Sequence, residues 1–69
     1  MADAYCKALG ENVRKFRQKL GLSQEGLTER ADMHWTFISG VERGKHDISL
    51  DSLVRLAKAL GRKPYELIK

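Results

Sequence analysis

Apolar residues recur at helical spacing in separate blocks along this chain, and each block predicts one helix. The first block predicts a helix over about 4–20. Its expected buried stripe consists of Leu9, Val13, Phe16 and Leu20. Gly21 follows and should end the helix, because glycine readily adopts the left-handed conformation of a C-terminal cap.

Two further short patterns lie close together in about 23–43. Ser23 is a favourable N-cap for a second helix over about 24–31, and a third helix is expected over about 35–43. The break between them is long enough only for a sharp turn. The apolar positions of this unit are Leu27, Ala31, Ile38 and Val41. Their spacing predicts two small helices that cross steeply over one core, a helix-turn-helix. Such a unit presents the outer face of its second helix to a DNA major groove.

The remaining blocks predict two more helices. Ser49 is a good cap for a fourth helix over about 50–60, which is apolar over a wide arc and is expected to be the central core helix. Gly61 should end it, and Pro64 suits the first turn of a final short helix over about 64–68. There is no strand signal, internal repeat or linker, so residues 1–69 predict one all-α domain of five helices.

Composition narrows the class of protein. The single cysteine, Cys6, excludes an internal disulfide and fits a reducing cytosol, so a cytoplasmic protein is expected. No apolar run approaches the roughly 20 residues that span a bilayer, and the N-terminal residues lack the features of a signal peptide, so no membrane partner is expected. The net charge of +4 favours a polyanionic partner, but this cue is weak alone.

Catalysis is not expected from these residues. Two histidines and one cysteine provide no nucleophile, base and orienting group at recognisable spacing. A metal site is equally unsupported, because Cys6, His34 and His46 lie on three separate segments without ligand spacing. There is also no glycine loop that would cradle a phosphate. We therefore expect neither an enzyme nor a cofactor.

Three segments together resemble the Cro/cI-type (Xre-family) DNA-binding domain. They read Gly-Leu-Ser-Gln-Glu at 21–25, Ile-Ser-Gly-Val-Glu-Arg-Gly-Lys at 38–45 and Leu-Val-Arg-Leu-Ala-Lys-Ala-Leu-Gly at 53–61. The resemblance covers about 9–68, with the pieces in the right order and spacing. It implies a compact five-helix, lambda-repressor-like domain that acts as a sequence-specific transcriptional regulator, encoded by a bacterium or a phage. Residues 36–43 are especially similar to the controller proteins of restriction–modification systems, which are small stand-alone dimers.

Candidate base-reading residues lie on the outer side of the third helix. A recognition helix reads bases near its N-terminal end, and the resemblance maps those positions onto Trp35, Thr36 and Gly40, with Ser39 nearby. Thr36 offers a hydroxyl to a base edge and a methyl group to thymine. Gly40 carries no side chain and would let the helix sit deeper in the groove. Trp35 could contact thymine methyl groups, or it could be a partly buried staple against a neighbouring helix.

Phosphate contacts are expected on both sides of the recognition helix. The resemblance places one phosphate site at Ser23 and Gln24, and helix N-termini with small hydroxyl or amide side chains bind phosphate well. Phe37 is expected to be half-buried near the sugar–phosphate edge, with core packing as its other role. The basic turn after the third helix is expected to contact the DNA backbone, and the alternative is that it is only a solvated charged loop. That turn contains Arg43, Lys45 and His46.

The resemblance also assigns roles to charged residues outside the recognition face. It implies an ion pair between Arg17 and Glu42, which would brace the recognition helix against the first helix. Arg17 is therefore assigned to structure. Glu25 and Glu29 lie four residues apart on the second helix, where acidic residues of phage repressors in this family contact RNA polymerase. Ordinary solvated glutamates are the alternative for these two residues.

Two copies of the chain are expected to act together, because one monomer reads only a few base pairs. A two-fold dimer places its recognition helices about 34–36 Å apart and matches a pseudo-palindromic site on double-stranded DNA. The candidate dimer surface consists of Leu60, Tyr65, Leu67 and Ile68, with capping of the monomer core as the alternative for Leu60 and Leu67. A protein-interaction module on the same fold, such as an antitoxin or an adaptor, is the rival interpretation of the whole chain.

Overall fold

The computed structural model describes residues 2–69, with side chains from residue 4 onward. Its helices are α1 (Ala2–Lys19), α2 (Gln24–Ala31), α3 (Trp35–Glu42), α4 (Leu50–Ala59) and α5 (Pro64–Leu67). The predicted all-α, five-helix class is confirmed, and no helix boundary differs from the expectation by more than two residues. Among the described residues, no helix has both the length and the apolar character needed to cross a membrane.

A shared type of turn ends the first four helices. At each end one residue takes a left-handed conformation: Gly21 (φ 70°), Asp32 (φ 55°), Gly44 (φ 72°) and Gly61 (φ 69°). The next residue donates its N–H to a carbonyl five positions back, as Lys45 does to Gly40 at 2.9 Å. This is the Schellman arrangement, which satisfies the last carbonyls of a helix and reverses the chain sharply. Five helices can therefore pack within 69 residues.

One continuous core joins all five helices. Fully buried side chains come from every helix: Leu9, Val13, Leu27, Ile38, Val41, Leu56, Leu60 and Leu67. The prediction that Leu20 belongs to the buried stripe is wrong, since this side chain is 45% exposed. The cause is that α1 ends at Lys19, so Leu20 leaves the helical stripe as the chain turns at Gly21. On α4 the wide apolar arc is only partly used, because Leu50 and Val54 are exposed.

A glycine permits the close crossing of α1 and α3. A Cβ atom built at Gly10 would overlap the carbonyl oxygen of Val41 and lie 2.8 Å from that of Glu42. Backbone atoms cannot move aside as the end of a flexible side chain can. The last turn of α3 therefore rests directly on the backbone of α1, and the position of α3 depends on Gly10.

We expect Gly10→Ala and Gly26→Ala to change stability in opposite directions. Both glycines are helical, and Gly→Ala in a helix interior gains up to about 1 kcal/mol. At Gly26 the nearest atoms to a new Cβ are side-chain atoms at 3.4 Å, so this gain should be realised. At Gly10 the overlap with α3 should outweigh it and cost about 1–3 kcal/mol net. Urea unfolding followed by circular dichroism measures both values, and a stabilised Gly10→Ala would contradict the close crossing.

Candidate nucleic-acid interface

The outer face of α3 is open to solvent at its N-terminal end. Ile38 and Val41 are fully buried, so the 3.6-residue period turns Thr36 outward and leaves Ser39 partly exposed. Trp35 is 52% exposed and lies outside the core cluster, which argues against the staple role. These three side chains form an exposed ridge at the start of the helix that the sequence predicts to enter the groove.

Gly40 is not on the open ridge, and this part of the prediction is wrong. The residue is buried, although it lies on the outward half of α3. A Cβ atom built there would overlap atoms Cδ2 and Nε2 of the His46 imidazole. The ring therefore covers the place where a side chain at position 40 would lie. Because position 40 has no side chain, His46 can pack there, and the backbone of Gly40 is covered rather than exposed.

The basic turn after α3 contains three exposed residues, Arg43, Lys45 and His46. Arg43 is the C-cap residue of α3, and its Nε donates to the carbonyl oxygen of Ser39 at 3.4 Å. Lys45 is exposed two residues further along the chain. The imidazole of His46 is stacked on the ring of Phe37, with centroids 5.9 Å apart and 13° between the ring planes. Phe37 is half-buried against the core, as expected, and it supports His46 from below.

The first turns of α1 support this basic turn from the other side. A Cβ atom built at Gly44 would lie 3.3 Å from the Cα of Lys7, so α1 and the turn are in close contact. Burial raises the pKa of Tyr5, and the carboxylate of Asp47 and the thiol of Cys6 add to the effect. The N-terminal part of α1 thus fixes where the basic turn lies relative to α3.

A largely buried ion pair connects α1 to the end of α3. Arg17 Nε donates to Glu42 Oε2 at 2.6 Å and Arg17 Nη2 donates to Oε1 at 2.9 Å, so the pair is bidentate. The side chains are only 12% and 3% exposed. Arg17 Nη1 also donates to the Leu22 carbonyl at 2.8 Å, and Gln24 Nε2 donates to Glu42 Oε1 at 3.1 Å. The carboxylate of Glu42 therefore joins α1, α2 and α3 at one point.

The N-terminal end of α2 has polar groups left over for a ligand. The hydroxyl oxygen of Ser23 accepts from the Gly26 N–H at 3.0 Å, as a helix N-cap does, and its own hydrogen is free to donate outward. Gln24 uses one amide hydrogen on Glu42 and has a second one to donate. Both residues are therefore compatible with the expected phosphate site. Glu25 and Glu29 are exposed on the same helix.

The apolar residues near the C-terminus divide into two groups. Leu60 and Leu67 are buried in the monomer core, so their assignment to a dimer surface is wrong and the core alternative is correct. Tyr65 is 57% exposed and Ile68 is 42% exposed. They lie on and just beyond α5, which packs against α4. An apolar surface thus remains open on this side of the monomer.

Two long-range contacts of the scaffold were missed in the sequence. Arg55 Nη2 on α4 donates to the carbonyl oxygens of Asp32 and Ala31 at 2.8 and 3.2 Å, and so caps the C-terminal end of α2. Asn12 Nδ2 on α1 donates to the Leu67 carbonyl at 2.9 Å and holds α5 in place. Neither residue belongs to a local motif, so no pattern of spacing could have revealed its partner.

The part of the chain with described side chains contains no group of three or more histidine, cysteine, aspartate or glutamate residues that could hold a metal ion. The arrangement instead consists of an exposed ridge at the start of α3, hydroxyl and amide donors at the start of α2 and basic side chains after α3. This is the combination by which a helix-turn-helix contacts DNA.

Comparison with known proteins agrees with this interpretation. The helix-turn-helix family model matches residues 13–67. Control protein C.BamHI of Bacillus amyloliquefaciens is 43% identical over 60 residues, which are 86% of this chain and 74% of that protein. Control protein C.SmaI of Serratia marcescens is 43% identical over 60 residues, covering 87% and 71%. The crystal structure of the restriction–modification controller protein C.AhdI from Aeromonas hydrophila superposes with a TM-score of 0.88 at 38% identity, covering 93% of this chain and 97% of that chain.

The chain therefore belongs to the helix-turn-helix family of Xre type, whose members are DNA-binding regulators of transcription. It is similar to the controller proteins of restriction–modification systems, as residues 36–43 predicted.

We expect Glu42→Gln to destabilise the domain by roughly 3–5 kcal/mol, because it leaves the buried guanidinium of Arg17 without a charged partner. Thermal unfolding followed by circular dichroism measures the loss. The matched control is Glu29→Gln, the same substitution at an exposed position of α2, which should change stability by less than about 0.5 kcal/mol. Equal melting temperatures for the two variants would contradict the role of the ion pair.

Proposed function

We propose that this protein binds a pseudo-palindromic operator as a homodimer through α3, and that it is the controller of a restriction–modification system in a bacterial cytoplasm. The observation that carries the proposal is the exposed ridge of Trp35, Thr36 and Ser39 on a helix braced by a buried ion pair. The printed names of the relatives C.BamHI, C.SmaI and C.AhdI describe control or controller proteins, which supports the narrower assignment.

The three ridge residues are the proposed base readers. Thr36 has a hydroxyl for a base edge and a methyl group for the thymine methyl, and Ser39 has a second hydroxyl. Trp35 cannot make the bidentate guanine contact of an arginine. Its exposed ring suits packing on thymine methyl groups or sugars. Because Trp35 is the only tryptophan in the chain, its fluorescence can report directly on operator binding.

Phosphate groups on the two sides of the groove are the proposed partners of four other residues. Ser23 and Gln24 have donors remaining at the N-terminal end of α2, where the helix dipole also favours an anion. Arg43 and Lys45 are exposed directly after the C-terminal end of α3. Phe37 offers only apolar surface and is partly used in the core, so it is not retained as a phosphate contact.

The proposed dimer surface consists of Tyr65 and Ile68, extended by Leu50 and Val54. All four side chains are at least 42% exposed in the monomer. Leu50 and Val54 belong to α4 and Tyr65 belongs to α5, and these two helices pack against each other. Burying such side chains against a second copy would stabilise a dimer, because each Å² of apolar surface removed from water contributes about 25 cal/mol.

A contact with RNA polymerase through Glu25 and Glu29 is also proposed. Both carboxylates are exposed on α2, and neither takes part in the buried ion pair. They would therefore remain accessible beside the bound duplex. Transcription in vitro with purified polymerase tests this contact, and activation that survives charge reversal at Glu25 and Glu29 would argue against it.

Selection from a random pool of duplexes is the experiment that tests the function. We expect a palindromic consensus whose half-site centres lie about one helical turn, roughly 10 bp, apart. Affinity for mixed duplex DNA should fall steeply with salt, since each neutralised phosphate contributes about −0.9 to the slope of log K against log salt. A module on this fold that binds only other proteins would select no consensus and would show shallow salt dependence.

Two variants separate base contacts from phosphate contacts in that assay. Thr36→Ala should weaken binding to the consensus by roughly 5- to 30-fold and leave binding to mixed duplex almost unchanged. Lys45→Gln should weaken both and reduce the salt slope by about 1. Both side chains are exposed, so neither change should disturb the fold.

We expect Ile68→Lys to convert the dimer to a monomer, because it places a charge in the proposed apolar surface. Sedimentation velocity over a dilution series measures the change. Leu20→Lys is the matched control, since Leu20 has nearly the same exposure and lies at the C-terminal end of α1. If Ile68→Lys sediments like the wild-type chain, the dimer surface lies elsewhere.

A further inference from the structure

We propose that Arg55 on α4 is a positioning residue for DNA recognition. It holds the turn between α2 and α3 and thereby fixes the angle at which Trp35 and Thr36 meet the groove. The proposal rests on the DNA-binding function proposed above and adds to it a residue that acts without touching DNA.

The N-terminal end of α3 lacks the anchor that its C-terminal end has. The ion pair of Arg17 with Glu42 lies at the C-terminal end, whereas Trp35 is seven residues away, about 10 Å along the helix axis. At the start of the helix His34 is the N-cap, but its side chain makes no capping hydrogen bond. A helix of eight residues has little stability of its own. The direction of its first turn therefore depends on the chain that leads into it.

The chain that leads into α3 is a turn of three residues, and the first of them has an unusual backbone. Asp32 takes a left-handed conformation, with φ 55° and ψ 54°. Among the described residues, every other one with a positive φ is a glycine. A side chain disfavours this conformation, because its Cβ comes close to the following carbonyl oxygen, although aspartate tolerates it better than most residues do. The turn therefore needs contacts that keep Asp32 left-handed.

Arg55 supplies such contacts through the backbone of the turn. Its Nη2 atom donates to the carbonyl oxygen of Asp32 at 2.8 Å and to that of Ala31 at 3.2 Å. The carboxylate Oδ2 of Asp32 lies 3.9 Å from the same nitrogen, but this side chain is fully exposed, so the ion pair contributes little. The two carbonyl contacts are therefore what holds the turn.

These contacts connect the turn to a part of the scaffold other than α2. The turn's own hydrogen bonds lead back to α2, as from the Met33 N–H to the Thr28 carbonyl at 3.1 Å. Arg55 lies on α4 between Leu53 and Leu56, which are both buried in the core. The guanidinium therefore ties the entrance of α3 to a helix whose position is fixed by packing.

A change in the backbone of Asp32 would redirect the start of α3. Trp35 is the third residue after Asp32, so the angles of the turn set the direction in which the helix begins. Base readout requires side chains within hydrogen-bonding reach of particular base edges, whereas attraction to phosphates acts over longer distances and tolerates small shifts. Loss of Arg55 should therefore weaken recognition of a sequence more than attachment to DNA in general.

The test compares two substitutions on α4 that remove the same charge. Arg55→Met removes the contacts with the turn. Lys58→Met is the matched control, because Lys58 is exposed three residues further along α4 and donates no hydrogen bond to the turn. The side chain of Arg55 is 45% exposed, so Arg55→Met should fold, and Arg55→Gln replaces it if it does not.

Affinities for the consensus duplex selected by the wild-type protein and for mixed duplex are measured by the fluorescence of Trp35. The temperature is one at which circular dichroism shows every variant to be folded. We expect Arg55→Met to weaken consensus binding by roughly 3- to 30-fold more than Lys58→Met does. The affinities of the two variants for mixed duplex should agree within about twofold, because both lose one positive charge.

Asp32→Gly provides an independent variant. Glycine adopts the left-handed conformation readily, as Gly21, Gly44 and Gly61 do at the ends of other helices. The turn then keeps its conformation without the guanidinium, so in this background Arg55→Met should weaken consensus binding by no more than about twofold. Each comparison is made within one background, so the lost carboxylate affects both members equally. A residue that only stabilised the fold would leave the affinity of the folded protein unchanged in both backgrounds.

Three outcomes would overturn the proposal. Equal consensus affinities for Arg55→Met and Lys58→Met would show that the turn does not depend on α4. An equal loss on consensus and mixed duplex would show that Arg55 acts on DNA through its charge. An undiminished loss in the Asp32→Gly background would show that Arg55 does not act by holding the left-handed turn. In all three cases a wild-type consensus would leave the proposed function standing. Failure of the wild-type protein to select any consensus would instead overturn the function and this inference together.

Discussion

The largely buried contact between Arg17 and Glu42 is the constraint on which the position of α3 depends. Helix α3 has only eight residues, an internal glycine and an N-cap, His34, that makes no side-chain cap hydrogen bond. Such a helix has little stability of its own. The carboxylate of Glu42 receives hydrogen bonds from α1 and α2 at the same time, so the three helices are held at one point. The ridge at the other end of α3 is then presented at a defined angle.

Two glycines complete this arrangement by admitting other atoms where a side chain would normally lie. Gly10 lets the backbone of α1 contact the last turn of α3, and Gly40 lets the imidazole of His46 rest on its outer face. A glycine inside a helix costs about 1 kcal/mol relative to alanine. In both places this cost is offset by a close contact that positions the recognition helix or completes its surface. The contact of α3 with the scaffold and the outer surface of α3 therefore both depend on a glycine.

Much of the fold followed from local patterns. Local signals predicted the order of the helices, and their boundaries to within two residues. These signals are the helical period, the capping serines Ser23 and Ser49 and the glycines at helix ends. The outward direction of Thr36 followed from the burial of Ile38 by the same period. The partnership of Arg17 with Glu42 came from the family resemblance, since no spacing rule connects residues 25 positions apart. Leu20 was misplaced because the chain turns directly after α1, and Gly40 because His46, from the turn after α3, lies over it.

The sequence alone determined the class of fold, the helix-turn-helix and the basic, hydroxyl-bearing character of its exposed face, because these depend on neighbours within one or two helical turns. Only the tertiary structure decided what covers Gly40, what Gly10 contacts and which carbonyls Asn12 and Arg55 satisfy. It also decided that Leu60 and Leu67 belong to the core, while Ile68 remains exposed. Each of these facts depends on segments meeting after the chain has reversed direction. A one-dimensional pattern of residue types does not contain that information.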